Sequence, residues 1–180
     1  MRRAIATFIF RLWGWKVVGE VPKVRKAILV VAPHTSGWDF LVGVFSRAIL
    51  GIKIQYIGKE SLFKPPFGWL FRWLGGHPVN RVQRQNTVQF VVDLFNAHDD
   101  FFFALSPEGT REYTPQLKTG FYAIARGAQV PMVLVGFDYA KKEVQMNQPF
   151  YASGDREADF EHILGYFRTV KGRYPEKGIL

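Results

Sequence analysis

The stretch Ala27-Ile28-Leu29-Val30-Val31-Ala32 (AILVVA) decides the fold, because it is a short, continuous apolar run rich in β-branched residues. Such a run is typical of a strand that is buried on both faces of a sheet. A second run, FFFAL at residues 101–105, has the same character. Each run leads directly into a polar segment, at residues 34–39 and 106–111. These two segments carry the candidate catalytic and binding residues.

Strand and helix patterns alternate along the whole chain. Strands are predicted at 27–32, 53–57, 101–105, 131–137 and 141–145, and helices at 38–50, 83–97, 119–127 and 155–174. This alternation predicts an α/β layered fold with a largely parallel central sheet flanked by helices. Neither a repeat nor a low-complexity linker interrupts it, so residues 1–180 are predicted to form a single domain.

Residues 1–16 are predicted to form a short amphipathic helix. At about 100° per residue, one side carries Ile5, Phe8, Ile9, Leu12 and Trp13, and the other carries Arg3, Thr7 and Arg11. A helix that lies in a membrane interface has this pattern, but so does a helix that covers the protein's own core, and the residues favour the membrane only slightly. No apolar run is long enough to span a bilayer. We therefore expect a cytoplasmic protein that is peripheral on the inner face of the cell membrane.

Composition narrows the classes of function. Apolar residues make up 48% of the chain, which excludes a disordered protein. The absence of cysteine excludes disulfides, thiolate nucleophiles and cysteine-based metal sites, and the four scattered histidines lack metal-ligand spacing. The net charge of +9 favours an anionic partner: nucleic acid, a phospholipid surface or a phosphorylated substrate. Nucleic acid is the least favoured, because the basic residues are dispersed and no recognised nucleic-acid motif is present.

The segment from His34 to Asp39 (HTSGWD) has two interpretations. Ser36 is a good N-cap with Asp39 three positions later, so a helix is predicted to start near Gly37 and to leave His34 in the loop before it. From the first helical turn, Asp39 reaches back to one ring nitrogen of His34 and leaves the other free as a base. The same residues are also a simple capping box, and alone the segment favours that structural interpretation.

Three further segments carry candidate binding residues. In the first, Gly75–Arg81, the paired glycines mark the end of a helix, and Arg81 is a candidate second cation for a phosphate. In Ser106–Arg111, Gly109 permits an unusual backbone angle or a close ligand approach, and Arg111 suits bidentate phosphate binding, although a turn with a solvent-facing arginine has the same sequence. Glu108 is predicted to order Arg111 or to accept a hydrogen bond from a substrate hydroxyl. The aromatic stretch 67–74 is flanked by basic residues and fits core packing, an acyl-chain groove or membrane contact.

Taken together, these segments resemble the lysophospholipid acyltransferase family, whose best-known members are the 1-acylglycerol-3-phosphate O-acyltransferases. The likeness covers roughly residues 27–137. Its four motifs match, in order, His34 and Asp39; Gly76, Val79 and Arg81; Pro107 to Arg111; and Val130 with Pro131. The chain departs from the family's usual residues at Pro33, Asn80, Ser106 and Leu134.

The resemblance implies transfer of a fatty acyl chain from acyl-CoA or an acyl carrier protein to a lysophospholipid, with 1-acylglycerol-3-phosphate as the expected acceptor and phosphatidic acid as the product. His34 is the expected general base, oriented by Asp39. The expected substrate-binding residues are Lys59, Arg81, Glu108, Gly109, Thr110 and Arg111. No cofactor and no metal are expected. Two alternatives remain open: the same chemistry on a lyso-aminolipid, a glycolipid or glycerol, and a non-catalytic protein that binds anionic membranes.

Overall fold

A computed structural model describes residues 2–79 and 84–179. Within that part of the chain, the helices are α1 (Arg2–Leu12), α2 (Trp38–Leu50), α3 (Gly68–Trp73), α4 (Arg84–Ala97), α5 (Gly120–Gly127) and α6 (Arg156–Phe167). The strands are β1 (Lys16–Val18), β2 (Lys26–Ala32), β3 (Ile54–Lys59), β4 (Gly76–Val79), β5 (Phe101–Leu105), β6 (Met132–Asp138) and β7 (Glu143–Met146).

The strands form one sheet in the order β1-β7-β6-β2-β5-β3-β4. Every neighbouring pair is parallel except β6 and β7. The prediction of an α/β fold with a largely parallel sheet is confirmed. Strand β2 is central, because it pairs with β6 on one side and with β5 on the other, where Val30 is opposite Leu105.

Side chains of β2 alternate between two hydrophobic clusters, one on each face of the sheet. Ile28 and Val30 pack with residues of α4, α5 and α6, whereas Ala27 and Leu29 pack with residues of α1 and α2. All four side chains are at most 3% exposed. Burial on both faces explains why the strand is a continuous apolar run rather than an alternating one.

The prediction of a helix over residues 1–16 is wrong beyond Leu12, where α1 ends, and Lys16 already belongs to β1. Helix α1 both covers the core and exposes apolar side chains. Phe10 is 1% exposed and stacks on Phe45 of α2 at a ring-centroid distance of 6.0 Å. On another side of the helix, Ile5, Phe8 and Leu12 are exposed. A helix that covers the protein's own core and a helix with an apolar face for a membrane are therefore compatible interpretations of α1. Among the described residues, no helix is long and apolar enough to cross a membrane.

The aromatic stretch before the paired glycines forms helix α3. Its Phe71 packs on Phe40 of α2 with ring centroids 5.4 Å apart. Phe67, Trp69 and Trp73 point outward and are 64%, 68% and 66% exposed. Because α1 and α3 both contact α2, their exposed apolar side chains belong to the same side of the sheet.

The prediction of a helix over residues 155–174 is wrong beyond Phe167, where α6 ends. The chain turns back because its next residues bond to the carboxyl end of the sheet. Lys171 accepts a hydrogen bond from the backbone N–H of Tyr139 at 2.8 Å, and the N–H of Tyr174 donates to the Thr35 hydroxyl oxygen at 3.2 Å. Residues 171–178, here called the C-terminal segment, thus lie against the loop that follows β2.

Candidate active site

Two loops meet at the carboxyl edge of the sheet. The loop with His34 follows β2, and the loop with Glu108 and Arg111 follows β5. Because β2 and β5 are parallel neighbours, both loops leave the sheet at the same edge and side by side. This pairing brings together segments that are about seventy residues apart in the sequence.

The predicted contact between His34 and Asp39 is present. His34 Nδ1 lies 3.0 Å from Asp39 Oδ2. The same Oδ2 accepts the backbone N–H of Ser36 at 2.9 Å, while the Ser36 hydroxyl oxygen accepts the N–H of Trp38 at 3.2 Å. The capping box and the histidine–carboxylate pair therefore coexist, and both hold one carboxylate in place. The His34 side chain is 28% exposed, so a ligand can reach its ring.

Tyr139 holds the other carboxylate oxygen, a role that sequence analysis missed. Its hydroxyl donates to Asp39 Oδ1 at 2.7 Å, and its ring contacts Trp15 edge-on at a centroid distance of 4.8 Å. Burial, and then the bond to Asp39, raise the pKa of the Tyr139 hydroxyl far above its ordinary value, so it remains a protonated donor. The sequence signal that could have identified Tyr139 is its position directly after β6, because β6 is the other neighbour of β2 and ends at the same edge of the sheet.

Glu108 ties the two loops together. Its Oε2 accepts the backbone N–H of His34 at 2.6 Å and the Ser106 hydroxyl at 3.1 Å. The residue is only 2% exposed. Burial raises the pKa of its carboxyl, and the two hydrogen bonds oppose that effect. In the described part of the chain no ion pair joins it to Arg111. Its predicted contact with a substrate hydroxyl stays a prediction.

Arg111 extends toward the start of α2. A Cβ placed on Gly37 would lie 3.5 Å from Arg111 Nη1, so the guanidinium lies beside the loop that carries His34. Gly109 makes the preceding turn possible. Its φ is +63°, and a Cβ there would lie 2.9 Å from the Lys118 side chain.

The remaining predicted site residues lie further along the same edge or outside the described residues. Lys59 is exposed and ends β3, which is separated from β2 by β5. Thr110 turns its hydroxyl oxygen toward its own loop, where it accepts the N–H of Glu112 at 3.2 Å. Arg81 lies outside the described residues. Among the residues that the structure describes, no three His, Asp or Glu side chains are grouped to hold a metal ion.

Comparisons with known proteins bear on the family and the fold of the chain. A family model described as Acyltransferase matches residues 15–138. The crystal structure of the 1-acyl-sn-glycerophosphate (LPA) acyltransferase, PlsC, from Thermotoga maritima has the same fold, with a TM-score of 0.65. Sequence identity to it is 20%, and the match covers 91% of this chain and 74% of that one. No curated protein matches the chain.

We expect Tyr139→Phe to destabilise the protein more than Tyr166→Phe. Tyr139 donates to a buried carboxylate, whereas the Tyr166 hydroxyl donates to the neutral carbonyl of Gln145 at 3.3 Å. Loss of a bond to a charged group costs about 1.5–3 kcal/mol, against about 1 kcal/mol for a neutral one. Urea denaturation of the two variants measures the difference in the free energy of unfolding. Equal losses would contradict the role assigned to Tyr139.

Glu108→Gln is expected to change how stability depends on pH. A carboxyl whose pKa is raised by folding binds its proton more tightly in the folded state. Its contribution to stability is therefore present at low pH and is lost as the pH rises above the ordinary value of 4.5. Glutamine keeps an oxygen for both hydrogen bonds but does not titrate. The free energy of unfolding of the unsubstituted protein minus that of the variant should fall as the pH rises above 4.5; a constant difference would refute the effect of burial.

Proposed function

The chain belongs to the Acyltransferase family, and we propose that it moves a fatty acyl chain from the thioester of coenzyme A or acyl carrier protein to the free hydroxyl of 1-acylglycerol-3-phosphate. The product of that reaction is phosphatidic acid. The observation that carries the proposal is the 3.0 Å contact between His34 Nδ1 and Asp39 Oδ2, on a ring that is still reachable from solvent.

The proposed reaction begins with removal of a proton by His34. An alcohol is barely ionised at neutral pH, so its attack on a thioester needs a positioned base. Asp39 holds Nδ1, which leaves Nε2 to take the hydroxyl proton. The acceptor oxygen then forms its bond to the thioester carbonyl carbon, the carbon–sulfur bond breaks, and the departing sulfur takes the proton from the imidazolium. The products are the new ester and a free thiol.

Arg111 supports a phosphorylated acceptor. A guanidinium binds a phosphate through two parallel hydrogen bonds, and this one lies beside Gly37, in the same loop as the base. The solved structure that shares the fold is named for an acceptor of this kind. A lyso-aminolipid, a glycolipid and glycerol are the rival acceptors, and each offers a hydroxyl without the phosphate monoester.

The exposed apolar side chains of α1 and α3 support contact with the cytoplasmic face of a membrane. Leu12 on α1 and Trp69 on α3 are 74% and 68% exposed, and both helices pack against α2, whose first turn holds Asp39. Tryptophan is favoured at the boundary between water and lipid, and a net charge of +9 attracts anionic head groups. A lysophospholipid dissolved in a bilayer would then reach the site without crossing bulk water.

Replacing His34 by alanine should lower the rate of acyl transfer by roughly 10²–10⁴-fold, because the acceptor loses its general base. The measurement is release of free thiol from long-chain acyl-CoA, and from acyl carrier protein, with and without 1-acylglycerol-3-phosphate. The matched control is His162→Ala, which removes an exposed histidine whose ring contacts Phe150 on α6's side of the sheet. Full turnover by His34→Ala would remove the base assignment, and release of thiol only with a rival acceptor would change the substrate.

Trp69→Ser is expected to weaken binding to vesicles that contain phosphatidylglycerol by about tenfold. The reason is that the variant lacks a large apolar side chain whose transfer from water into lipid favours binding. The side chain is 68% exposed, so folding should be unaffected. Tyr151→Ser is the control, since Tyr151 is 64% exposed and follows Phe150, which packs on the other face of the sheet from α1. Co-sedimentation with vesicles measures the effect. Equal binding by both variants would exclude α3 from the membrane contact.

A further inference from the structure

Arg173 lies outside the residues that match the family, but the fold brings it to the candidate active site. We propose that Arg173 is a further guanidinium for the phosphate of the acceptor, acting together with Arg111. This inference rests on the proposed function, because it concerns the acceptor of that reaction.

The C-terminal segment is fixed against the loop with His34 by several contacts. The backbone N–H of Tyr174 donates to the hydroxyl oxygen of Thr35, which is only 2% exposed. Gly172 is packed so closely that a Cβ there would lie 2.9 Å from the same oxygen. Lys177 Nζ forms an ion pair with Glu112 at 2.9 Å, directly after Arg111. The segment therefore bridges the two loops of the site, and the residue between Gly172 and Tyr174 has a defined position.

The guanidinium of Arg173 lies over the ring of Trp38, with its Cζ 5.2 Å from the ring centroid. Trp38 is the residue before Asp39 and is 45% exposed. The charge also acts on Tyr139: burial and Asp39 raise the pKa of that hydroxyl, and Arg173 partly opposes them. Its positive charge is therefore close to the carboxylate that orients the base.

The two arginines contact neighbouring residues at the start of α2. Arg111 lies beside Gly37 and Arg173 lies over the ring of Trp38, so a phosphate bound there would have two guanidinium groups nearby. In the described part of the chain, no carboxylate forms an ion pair with either arginine. Both guanidinium groups are thus available to bind the anion of a ligand, and a phosphate monoester carries enough negative charge to bind both.

The position favours the acceptor's phosphate over those of the donor. In 1-acylglycerol-3-phosphate the phosphate is only a few covalent bonds from the hydroxyl that loses its proton to His34. In coenzyme A, the phosphates lie at the far end of the pantetheine arm from the thioester. The charge of Arg173 acts on Tyr139, whose hydroxyl donates to Asp39, and the backbone of the next residue, Tyr174, bonds to Thr35 beside His34, which suits the first geometry.

The test compares Arg173→Gln with Arg156→Gln on two acceptors that have the same acyl chain, 1-acylglycerol-3-phosphate and the neutral 1-acylglycerol. Arg156 is a matched control, because it is an exposed arginine that lies over an aromatic ring, that of Phe160, at 5.4 Å. For Arg173→Gln, kcat/KM on the phosphorylated acceptor should fall about ten- to hundredfold, the loss of one charge-assisted contact. Activity on the neutral acceptor should not change, and Arg156→Gln should match the unsubstituted protein on both.

Equal activity of Arg173→Gln and the unsubstituted protein on the phosphorylated acceptor would overturn the proposal. So would an equal loss on both acceptors with a raised KM for acyl-CoA, since that pattern assigns Arg173 to the donor. Should Arg173→Gln fold poorly, Arg173→Lys provides a second variant. Lysine keeps the positive charge but cannot form the two parallel hydrogen bonds of a guanidinium. This variant should therefore retain only part of the preference for the phosphorylated acceptor, and an unchanged preference would contradict the proposal.

A separate measurement distinguishes failure of this inference from failure of the proposed function. If the unsubstituted protein turns over neither acceptor, the proposed function fails. Calorimetric titration with short-chain 1-acylglycerol-3-phosphate, without donor, then still tests Arg173. Binding that weakens in Arg173→Gln and not in Arg156→Gln supports the arginine's role, and unchanged or absent binding refutes it.

Discussion

The buried carboxylate of Asp39 has to be satisfied by hydrogen bonds, because an ionised group that is 2% exposed is otherwise very costly to bury. Its partners come from three places: the Ser36 N–H at the start of its own helix, the ring of His34 after β2, and the hydroxyl of Tyr139 after β6. Two of these partners follow adjacent parallel strands. The pairing of β2 with β6 therefore determines whether the carboxylate is satisfied, and the site depends on the register of the sheet.

A second buried carboxylate, Glu108, completes the constraint on His34. Asp39 holds the imidazole through Nδ1, whereas Glu108 holds the backbone of the same residue through its N–H. The ring and the main chain of the proposed base are thus fixed by different carboxylates from different loops. Ser106 stabilises Glu108 with its hydroxyl, and this serine is one of the chain's departures from the family it resembles. Fixing a reactive group at both ends is the kind of preorganisation that favours catalysis.

Elements with a strong local signal could be predicted from the sequence. The apolar runs gave β5 and most of β2 correctly, and the 3.6-residue pattern gave both ends of α2. Strands β1 and β4 were missed because each has only three or four residues and exists through pairing with β7 and β3, which no local pattern reveals. The end of α6 was placed too late for a similar reason, since residues 171 and 174 bond to Tyr139 and Thr35, which are distant in the sequence.

The candidate site shows the same division between local and distant signals. The His34–Asp39 pair is local, and its geometry followed from a capping box. The bond from Tyr139 to Asp39 spans 100 residues, and that from Tyr174 to Thr35 spans 139, so neither has a sequence motif. The structural and catalytic interpretations of the first motif do not exclude each other, because the same oxygen of Asp39 makes the contact that each requires. The cap fixes the carboxylate before any substrate binds, and the carboxylate in turn holds one ring nitrogen of His34. A strong helix start is therefore a reason to expect a well-oriented base at this position.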